Sequence, residues 1–168
     1  MIGTAMEKGA ASVDGLRIAY ESTGAGAPRV VFVHGIFSNR GYFARQVEHL
    51  APRHRVLCLD LRGHGESDLS PTVSVEAFER DVIAVLEAAA DGPAVLCGHS
   101  MLGGVALSVA AARPELVRGV VMLDGVIFFP EAVRQAAIDR LLPGLAGDHW
   151  RDPSADTWVG WSIPHPPT

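Results

Sequence analysis

A serine at a sharp turn is the residue of this sequence best placed to do chemistry. Ser100 follows the short apolar run of residues 94–97 and a break at Gly98, and it precedes a helix-forming segment, residues 105–112. We interpret this pattern as strand, turn and helix. Such a turn lifts the hydroxyl above the end of the strand, and the free amides and positive dipole end of the helix point to the same place. The pattern predicts a nucleophile at Ser100, with the backbone N–H of Met101 available to hold a developing oxyanion.

Polar residues besides Ser100 follow the other apolar runs of the chain. His34, Asp60 and Asp124 come directly after runs that we interpret as strands, and the first of these runs, residues 30–33, is typical of a strand buried on both faces. Segments of helical character separate most of these runs, so the order predicts an α/β fold with a mostly parallel sheet, right-handed crossovers and flanking helices. Because ligands of such sheets bind beyond the carboxyl ends of the strands, we expect these polar residues to converge at one edge.

Local signals mark the elements that must position these residues. Strands are predicted at residues 11–13, 16–21, 30–33, 55–59, 94–97 and 117–123. Helices are predicted at residues 41–51, 75–90, 105–112 and 130–142. Asp14-Gly15 predicts a hairpin turn between the first two strands, because both positions of such a turn need a positive φ. Ser74 should cap the second helix, the apolar helix after Ser100 should be buried, and residues 1–10 should form a loose arm.

Composition and charge exclude several functions. With 168 residues, of which 48% are hydrophobic and 20% are charged, the chain should fold as one domain with its own core. The net charge of −5 disfavours nucleic acid and anionic membranes as partners, and no apolar run is long enough to span a bilayer. The glycine-rich loops lack the Gly-Lys-Ser/Thr end of a P-loop and the third glycine of a dinucleotide-binding motif. These loops therefore bear no phosphate or metal signature, and we expect neither a cofactor nor a metal.

The two cysteines indicate a reducing compartment. Cys58 and Cys97 both lie in predicted strands, and if one strand separates these two, they are about 9–10 Å apart, too far for a disulfide. We expect buried free thiols. Residues 1–12 contain no basic segment followed by an apolar one, so we expect no signal peptide and a cytoplasmic location.

Three motifs resemble those of the α/β-hydrolase fold superfamily. Gly98-His99-Ser100-Met101 resembles its nucleophile elbow, G-x-S-x-G, although Leu102 stands where the second glycine would be. His34-Gly35 resembles the family's oxyanion-loop motif, and residues 60–67 are very similar to the loop after its fourth strand. The resemblance covers about residues 11–125 and implies the α/β-hydrolase fold with a serine-hydrolase site.

The mismatch in the elbow bears on how closely the helix can approach the strand. Gly103-Gly104 come one residue later than the pattern requires, while the spacing from Ser100 to Arg113-Pro114 is usual for the family. We therefore interpret Leu102 as a substitution and not as an insertion.

The resemblance implies a role for each residue of the site. Ser100 would be the nucleophile, and the backbone N–H groups of Met101 and Ile36 would hold the oxyanion. Ile36 is chosen because it follows His34-Gly35, as the family's donor does. Asp124 ends the strand after the elbow, where some members place the catalytic acid. Most members place the acid one strand later, which would leave Asp124 with a structural role.

The remaining polar residues near these strand ends are expected to be structural. His34 and His64 would order their loops, as residues at such positions do in the family. His99 would pack at the elbow, because adjacent side chains at a sharp turn usually diverge. Asp60 and Arg62 would order their loop by hydrogen bonds.

The order of the family's triad raises the question of the base. The order is Ser, Asp or Glu, then His, and only His149 and His165 follow Ser100. His165 lies in a proline-rich end that cannot hold a ring in a fixed pose. We therefore expect a truncated hydrolase that lacks the strands carrying the acid and the histidine. Its parts would be residues 1–125 as the N-terminal part of the core, 126–150 as the start of a lid and 151–168 as an irregular tail.

Two functions follow from these expectations. The first is a serine hydrolase that acts on a small ester or related acyl substrate. The alternative is a catalytically incompetent fragment or pseudoenzyme that keeps the hydrolase scaffold without a base. If the hydrolase is truncated, the strand at residues 117–123 would be an exposed apolar edge, which makes self-association through this edge an expectation as well.

Overall fold

A computed structural model describes residues 6–89 and 92–125 of the chain. The expected helix at residues 130–142, the lid, the tail and the two late histidines lie outside these ranges. The described strands are β1 Glu7–Val13, β2 Leu16–Thr23, β3 Arg29–Val33, β4 Val56–Leu59, β5 Ala94–His99 and β6 Val117–Leu123. The described α-helices are α1 Ala44–Leu50, α2 Val75–Ala88 and α3 Gly103–Ala112.

The six strands form one sheet in the order β1-β2-β4-β3-β5-β6. The pairs β1–β2 and β2–β4 are antiparallel, and the other three pairs are parallel. Every residue of β3 and β4 is buried, as expected for apolar runs covered on both faces. The predicted α/β fold with a mostly parallel sheet is therefore confirmed.

The hairpin at the start of the chain is longer than predicted. Asp14 and Gly15 have φ values of 54° and 76°, which confirms the predicted turn. The expectation of a loose arm is wrong for residues 7–10, because they pair with β2 from Glu7 onward. A Cβ on Gly9 would lie 2.3 Å from Tyr20 Cζ, so β1 packs closely against β2 at a glycine, a residue that adds nothing to a hydrophobic pattern.

Helices cover both faces of the sheet. Helix α2 buries the expected stripe of Phe78, Val82, Val85 and Leu86 against one face. The Ser74 hydroxyl accepts a hydrogen bond from the Ala77 N–H at 3.1 Å, which confirms the predicted cap. On the other face, the helix predicted at residues 41–51 is a 3₁₀ turn, Arg40–Phe43, followed by α1. Phe43 is buried there and stacks on Phe32, with ring centroids 4.5 Å apart.

Helix α3 is less enclosed than its composition predicts. Val105, Ala106 and Val109 are buried, but Leu107 is 39% exposed. The expectation of burial on nearly all sides is wrong for the side of α3 that carries Leu107, where no described element covers the helix.

The cysteines lie as expected. Cys58 and Cys97 are both opposite Phe32 in the register of the sheet, so one strand separates them. Both thiols are free and buried. Burial raises the pKa of Cys58 to about 12 and that of Cys97 to about 11, so neither is a reactive thiolate at neutral pH.

Candidate active site

Ser100 lies at a strained turn between β5 and α3. Its φ is 58°, in the left-handed region that residues with a side chain seldom adopt. Strand β5 ends one residue earlier, and a 3₁₀ turn, Ser100–Leu102, leads into α3. The predicted arrangement of strand, turn and helix is confirmed, with a 3₁₀ first turn that the sequence did not indicate. Ser100 itself is partly exposed.

Two glycines allow the helix to approach the strand closely despite the mismatch at Leu102. A Cβ on Gly98 would lie 2.7 Å from Gly103 Cα and 3.2 Å from the Leu102 carbonyl oxygen, so only glycine fits there. A Cβ on Gly103 would lie 3.3 Å from the Gly98 oxygen. Leu102 points into the core and is 1% exposed. The close contact expected at the second motif glycine is therefore made one residue later.

The loop after β3 lies against this turn. A Cβ on Gly35 would be 3.2 Å from Ser100 Cβ and 2.9 Å from His99 Nδ1. The Ser38 N–H donates to the Gly35 oxygen at 3.2 Å, and Phe37 has a φ of 61°, which together make a type II turn over residues 35–38. Ile36, the second residue of this turn, is thereby held next to a residue that contacts Ser100.

The rings of His34 and His64 link this loop to the loop after β4. His34 Nδ1 lies 2.8 Å from the Gly35 oxygen and its Nε2 accepts from the Leu61 N–H at 3.2 Å. His64 Nδ1 lies 3.0 Å from the Arg62 oxygen. A carbonyl can only accept, so both Nδ1 atoms carry the proton. Burial lowers the pKa of His34 to about 3 and lowers that of His64 as well, which keeps both rings neutral. Through these bonds the two rings order their loops, as expected.

His99 packs at the turn, as expected. Its ring stacks on Tyr42, with centroids 4.7 Å apart, and the Tyr42 hydroxyl lies 3.4 Å from His99 Nε2. The buried Nδ1 has no hydrogen-bond partner among the described residues. Within the same ranges, none of the three imidazoles near the strand ends is hydrogen-bonded to the Ser100 hydroxyl. Sequence reasoning missed Tyr42, whose only signal is an aromatic side chain in the first turn of a predicted helix.

Asp60 orders its loop, as expected, and its partners were not predicted. Its carboxylate accepts from the Arg40 N–H at 2.7 Å and from the Glu66 N–H at 2.9 Å, and it also pairs with the Arg40 guanidinium. The guanidinium contacts Glu21 at 3.0 Å as well. These bonds connect the loop after β4 to β2 and to the 3₁₀ turn before α1, so the role of Asp60 is structural.

Arg62 also orders its loop, through a buried ion pair with α2. Its guanidinium lies 2.7 Å from Asp81 Oδ1, its backbone N–H donates to Asp81 Oδ2 at 2.9 Å, and both side chains are at most 1% exposed. Asp14, in the hairpin turn, completes the pair at 2.9 Å. The only signal for Asp81 in the sequence is its position, since it is a carboxylate on the same helical face as the apolar stripe of α2.

Asp124 reaches the same edge of the sheet as Ser100. His99 of β5 is opposite Leu123 of β6, so Ser100 and Asp124 each come directly after a paired position on neighbouring parallel strands. Asp124 has a φ of 51° and is exposed. The four strand-end residues His34, Asp60, Ser100 and Asp124 therefore meet at one edge, as predicted.

A sequence model described as alpha/beta hydrolase fold matches residues 28–158. The chain belongs to the α/β-hydrolase fold family. This range includes all three motifs at the strand ends. Within the described residues, no group of histidine, cysteine or acidic side chains could hold a metal ion. No helix in that part is long and apolar enough to cross a membrane.

Proteins named as lipases and hydrolases are among those similar to this chain. It is 38% identical over 99 residues to the sn-1-specific diacylglycerol lipase ABHD11 of Mus musculus, covering 58% of this chain and 32% of the lipase. It is 32% identical over 147 residues to lipase LipV of Mycobacterium tuberculosis, covering 85% of this chain and 55% of that lipase. The crystal structure of E-2-(acetamidomethylene)succinate hydrolase superposes with a TM-score of 0.70 at 28% identity, over 83% of this chain and 52% of that one. The chain thus spans from about a third to just over half the length of these proteins.

Proposed function

We propose that this chain is a serine hydrolase that acts on a small ester or related acyl substrate, with Ser100 as its nucleophile. The observation that carries the proposal is the left-handed backbone of Ser100, with a φ of 58°, where β5 meets the 3₁₀ turn. A non-glycine residue in this region costs on the order of 1–3 kcal/mol, and such strain concentrates at functional sites. We infer that this strained conformation holds the hydroxyl of Ser100, a partly exposed residue, above the end of the strand.

The reaction we propose is acyl transfer in two steps. Ser100 Oγ attacks the acyl carbon, its proton passes to a base, and the carbonyl electron pair moves onto oxygen. The backbone N–H groups of Met101 and Ile36 stabilise that oxyanion. Its collapse expels the alcohol, which takes up the proton, and leaves an acyl-enzyme. Water then gives a proton to the same base and attacks the acyl carbon. Collapse of the second oxyanion breaks the bond to Ser100 Oγ, which takes the proton back, and releases the carboxylic acid.

The positions of the two amide donors support this assignment. Met101 follows Ser100 in the 3₁₀ turn, where the first amides of a helical segment lack an intrahelical partner. Ile36 follows Gly35, where an added Cβ would lie 3.2 Å from Ser100 Cβ. Removing one such donor in a serine hydrolase costs about 10²- to 10³-fold in kcat. The two donors therefore represent a large part of the expected rate.

The acid and base are assigned by elimination and by place. His34 and His64 use both ring nitrogens in bonds to backbone, so neither is the base. None of the three imidazoles at this edge, His99 included, is hydrogen-bonded to the Ser100 hydroxyl among the described residues, so we expect the base to come from outside residues 6–89 and 92–125. Asp124 is the carboxylate that we propose as its partner, because it ends the strand next to β5 at the level of Ser100.

A fluorophosphonate probe tests the proposal, because it labels an activated serine. We expect labelling of the folded chain, loss of labelling in Ser100→Ala, and unchanged labelling in Ser108→Ala, a serine on α3 away from the turn. Asp124→Asn should slow labelling by at least tenfold if its carboxylate orients the base. Absence of labelling in protein that circular dichroism shows to be folded would refute the hydrolase proposal and favour a scaffold without a base.

A further inference from the structure

The peptide bond that carries the Ile36 N–H is held by its other end. The Gly35 carbonyl accepts from His34 Nδ1–H at 2.8 Å and from the Ser38 N–H at 3.2 Å. The Gly35 oxygen and the Ile36 N–H belong to one planar trans peptide, in which the C=O and N–H point in opposite directions. Two bonds that fix the direction of the carbonyl therefore also fix the direction of the Ile36 N–H.

The next peptide along the chain is held by the second histidine. The Phe37 N–H, which shares a plane with the Ile36 carbonyl, donates to His64 Nε2 at 3.3 Å. Phe37 follows with a φ of 61°, a conformation that a phenylalanine keeps only where surrounding contacts impose it. The planes on both sides of the Ile36 Cα are thus each bonded to one imidazole.

The two imidazoles are themselves anchored in a reciprocal way. His34, from the loop after β3, accepts the Leu61 N–H of the loop after β4 at 3.2 Å. His64, from the loop after β4, accepts an N–H of the loop after β3 and donates to its own Arg62 carbonyl at 3.0 Å. The rings lie 4.8 Å apart and both are fully buried. The bond from the Leu61 N–H to His34 is buried, so its loss would leave a polar group in the core with one bond fewer.

We propose that His34 and His64 are positioning residues that fix the direction of the Ile36 N–H, each through one of the two flanking peptides. The catalytic consequence rests on the proposed function of Ser100, whereas the direction of the amide can be measured without it. A role limited to packing would require only that the rings fill space. The positioning role requires the donor at His34 Nδ1, which holds the Gly35 carbonyl, and the acceptor at His64 Nε2, which holds the Phe37 N–H.

Three variants separate these roles. His64→Gln keeps an acceptor near the position of Nε2, whereas His64→Phe keeps the ring and removes the acceptor. Ser67→Ala is the matched control, because the Ser67 hydroxyl ties the same loop to the Asp60 carbonyl oxygen at 2.5 Å and to the Ala19 N–H at 2.8 Å, and neither of these partners belongs to the peptides that flank Ile36.

The first measurement is the residual dipolar coupling of the Ile36 N–H, which reports its direction directly. We expect the wild-type value in His64→Gln and in Ser67→Ala and a changed value in His64→Phe. An unchanged coupling in folded His64→Phe overturns the proposal.

The second measurement needs no variant and decides the matter if His64→Phe does not fold. Nitrogen-15 shifts of the wild-type rings should show His34 and His64 protonated on Nδ1 and bare on Nε2 at pH 7. A ring protonated on Nε2 could not accept the amide of the other loop, so that tautomer at either residue overturns the proposal.

The third measurement is hydrolysis of p-nitrophenyl acetate. We expect kcat of His64→Phe to fall on the order of 10- to 100-fold with KM little changed, because the amide binds the oxyanion of the transition state and not the ground-state ester. His64→Gln should recover most of kcat, and Ser67→Ala should retain it. If kcat of His64→Phe equals that of Ser67→Ala although the amide has turned, the positioning role is overturned. If the wild type neither hydrolyses the ester nor reacts with the fluorophosphonate, the proposed function fails, and the coupling and the tautomers still decide the positioning of Ile36.

Discussion

Replacing Gly98 by alanine tests whether the elbow depends on a contact between backbones. The new Cβ would lie 2.7 Å from Gly103 Cα, 3.1 Å from Ala106 Cβ and 3.2 Å from the Leu102 oxygen. Carbon atoms in contact prefer about 3.5–4.0 Å, so the helix must move by roughly 1 Å. None of the three atoms is the end of a flexible side chain, so relief requires a shift of α3 or β5. Overpacking of this kind costs about 1–3 kcal/mol, and we expect the upper half of that range.

The same helix supplies a graded control. A Cβ on Gly104 meets nothing within 4 Å, and alanine is the better helix former by up to about 1 kcal/mol, so Gly104→Ala should be neutral or stabilising. Gly103→Ala should fall between the two, because its Cβ would lie 3.3 Å from both the Gly98 oxygen and the flexible Met122 Cε. The expected order of stability is Gly104→Ala, then Gly103→Ala, then Gly98→Ala.

Urea unfolding followed by circular dichroism measures these differences, and the rate of fluorophosphonate labelling measures the effect on Ser100. A shift of about 1 Å in the elbow should slow labelling by on the order of 10²-fold in Gly98→Ala, even at urea concentrations far below the transition. The reasoning is refuted if Gly98→Ala unfolds within 0.5 kcal/mol of the wild type, taking about 0.5 kcal/mol as the size of an inconsequential substitution. It is also refuted if Gly104→Ala is the more destabilised variant.

Three further predictions concern charge, pH and association. The pKa of His34 in the folded chain is about 3, below the ordinary 6.5, so the unfolded chain takes up the proton first as the pH falls. The stability that this neutral ring contributes is fully present above pH 6.5 and should fall by about 2 kcal/mol between pH 7 and pH 5 in urea titrations. A flat profile contradicts this prediction. Asp81→Leu leaves the buried Arg62 without its main partner and should lower the free energy of unfolding by about 3–5 kcal/mol. The double variant Arg62→Met, Asp81→Leu should recover most of that loss in the same assay. Equal losses in the single and the double variant would contradict this account of the ion pair. We also propose that the chain self-associates through β6, which pairs only with β5 among the described strands and carries Val121 at 43% exposure. Sedimentation should detect dimers in the wild type and none in Val121→Lys. A wild type that is monomeric at high concentration would refute this proposal.

Much of the framework follows from local signals in the sequence. The Asp14-Gly15 turn, the Ser74 cap and the buried strand at residues 30–33 are each determined by residues within a few positions of one another, and all three were predicted correctly. The arrangement of strand, turn and helix around Ser100 follows in the same way from an apolar run that ends at a glycine.

The features that were missed depend on residues distant in the chain. His34 and His64 are 30 positions apart, and only the parallel pairing of β3 with β4 brings their loops together. The Asp81 carboxylate meets Arg62 because α2 crosses over that loop, which no spacing within the helix could indicate. Residues 7–10 form part of a strand because β2 offers them partners, not because of their own pattern.

The residue whose Cα lies against the elbow strand is Gly103, three positions after the serine and not two. Leu102 stands at the place of the motif's second glycine, where it ends the 3₁₀ turn with its side chain in the core. A pattern search that demands glycine two residues after the serine would pass over this chain, although its backbone meets the spatial requirement that the pattern encodes.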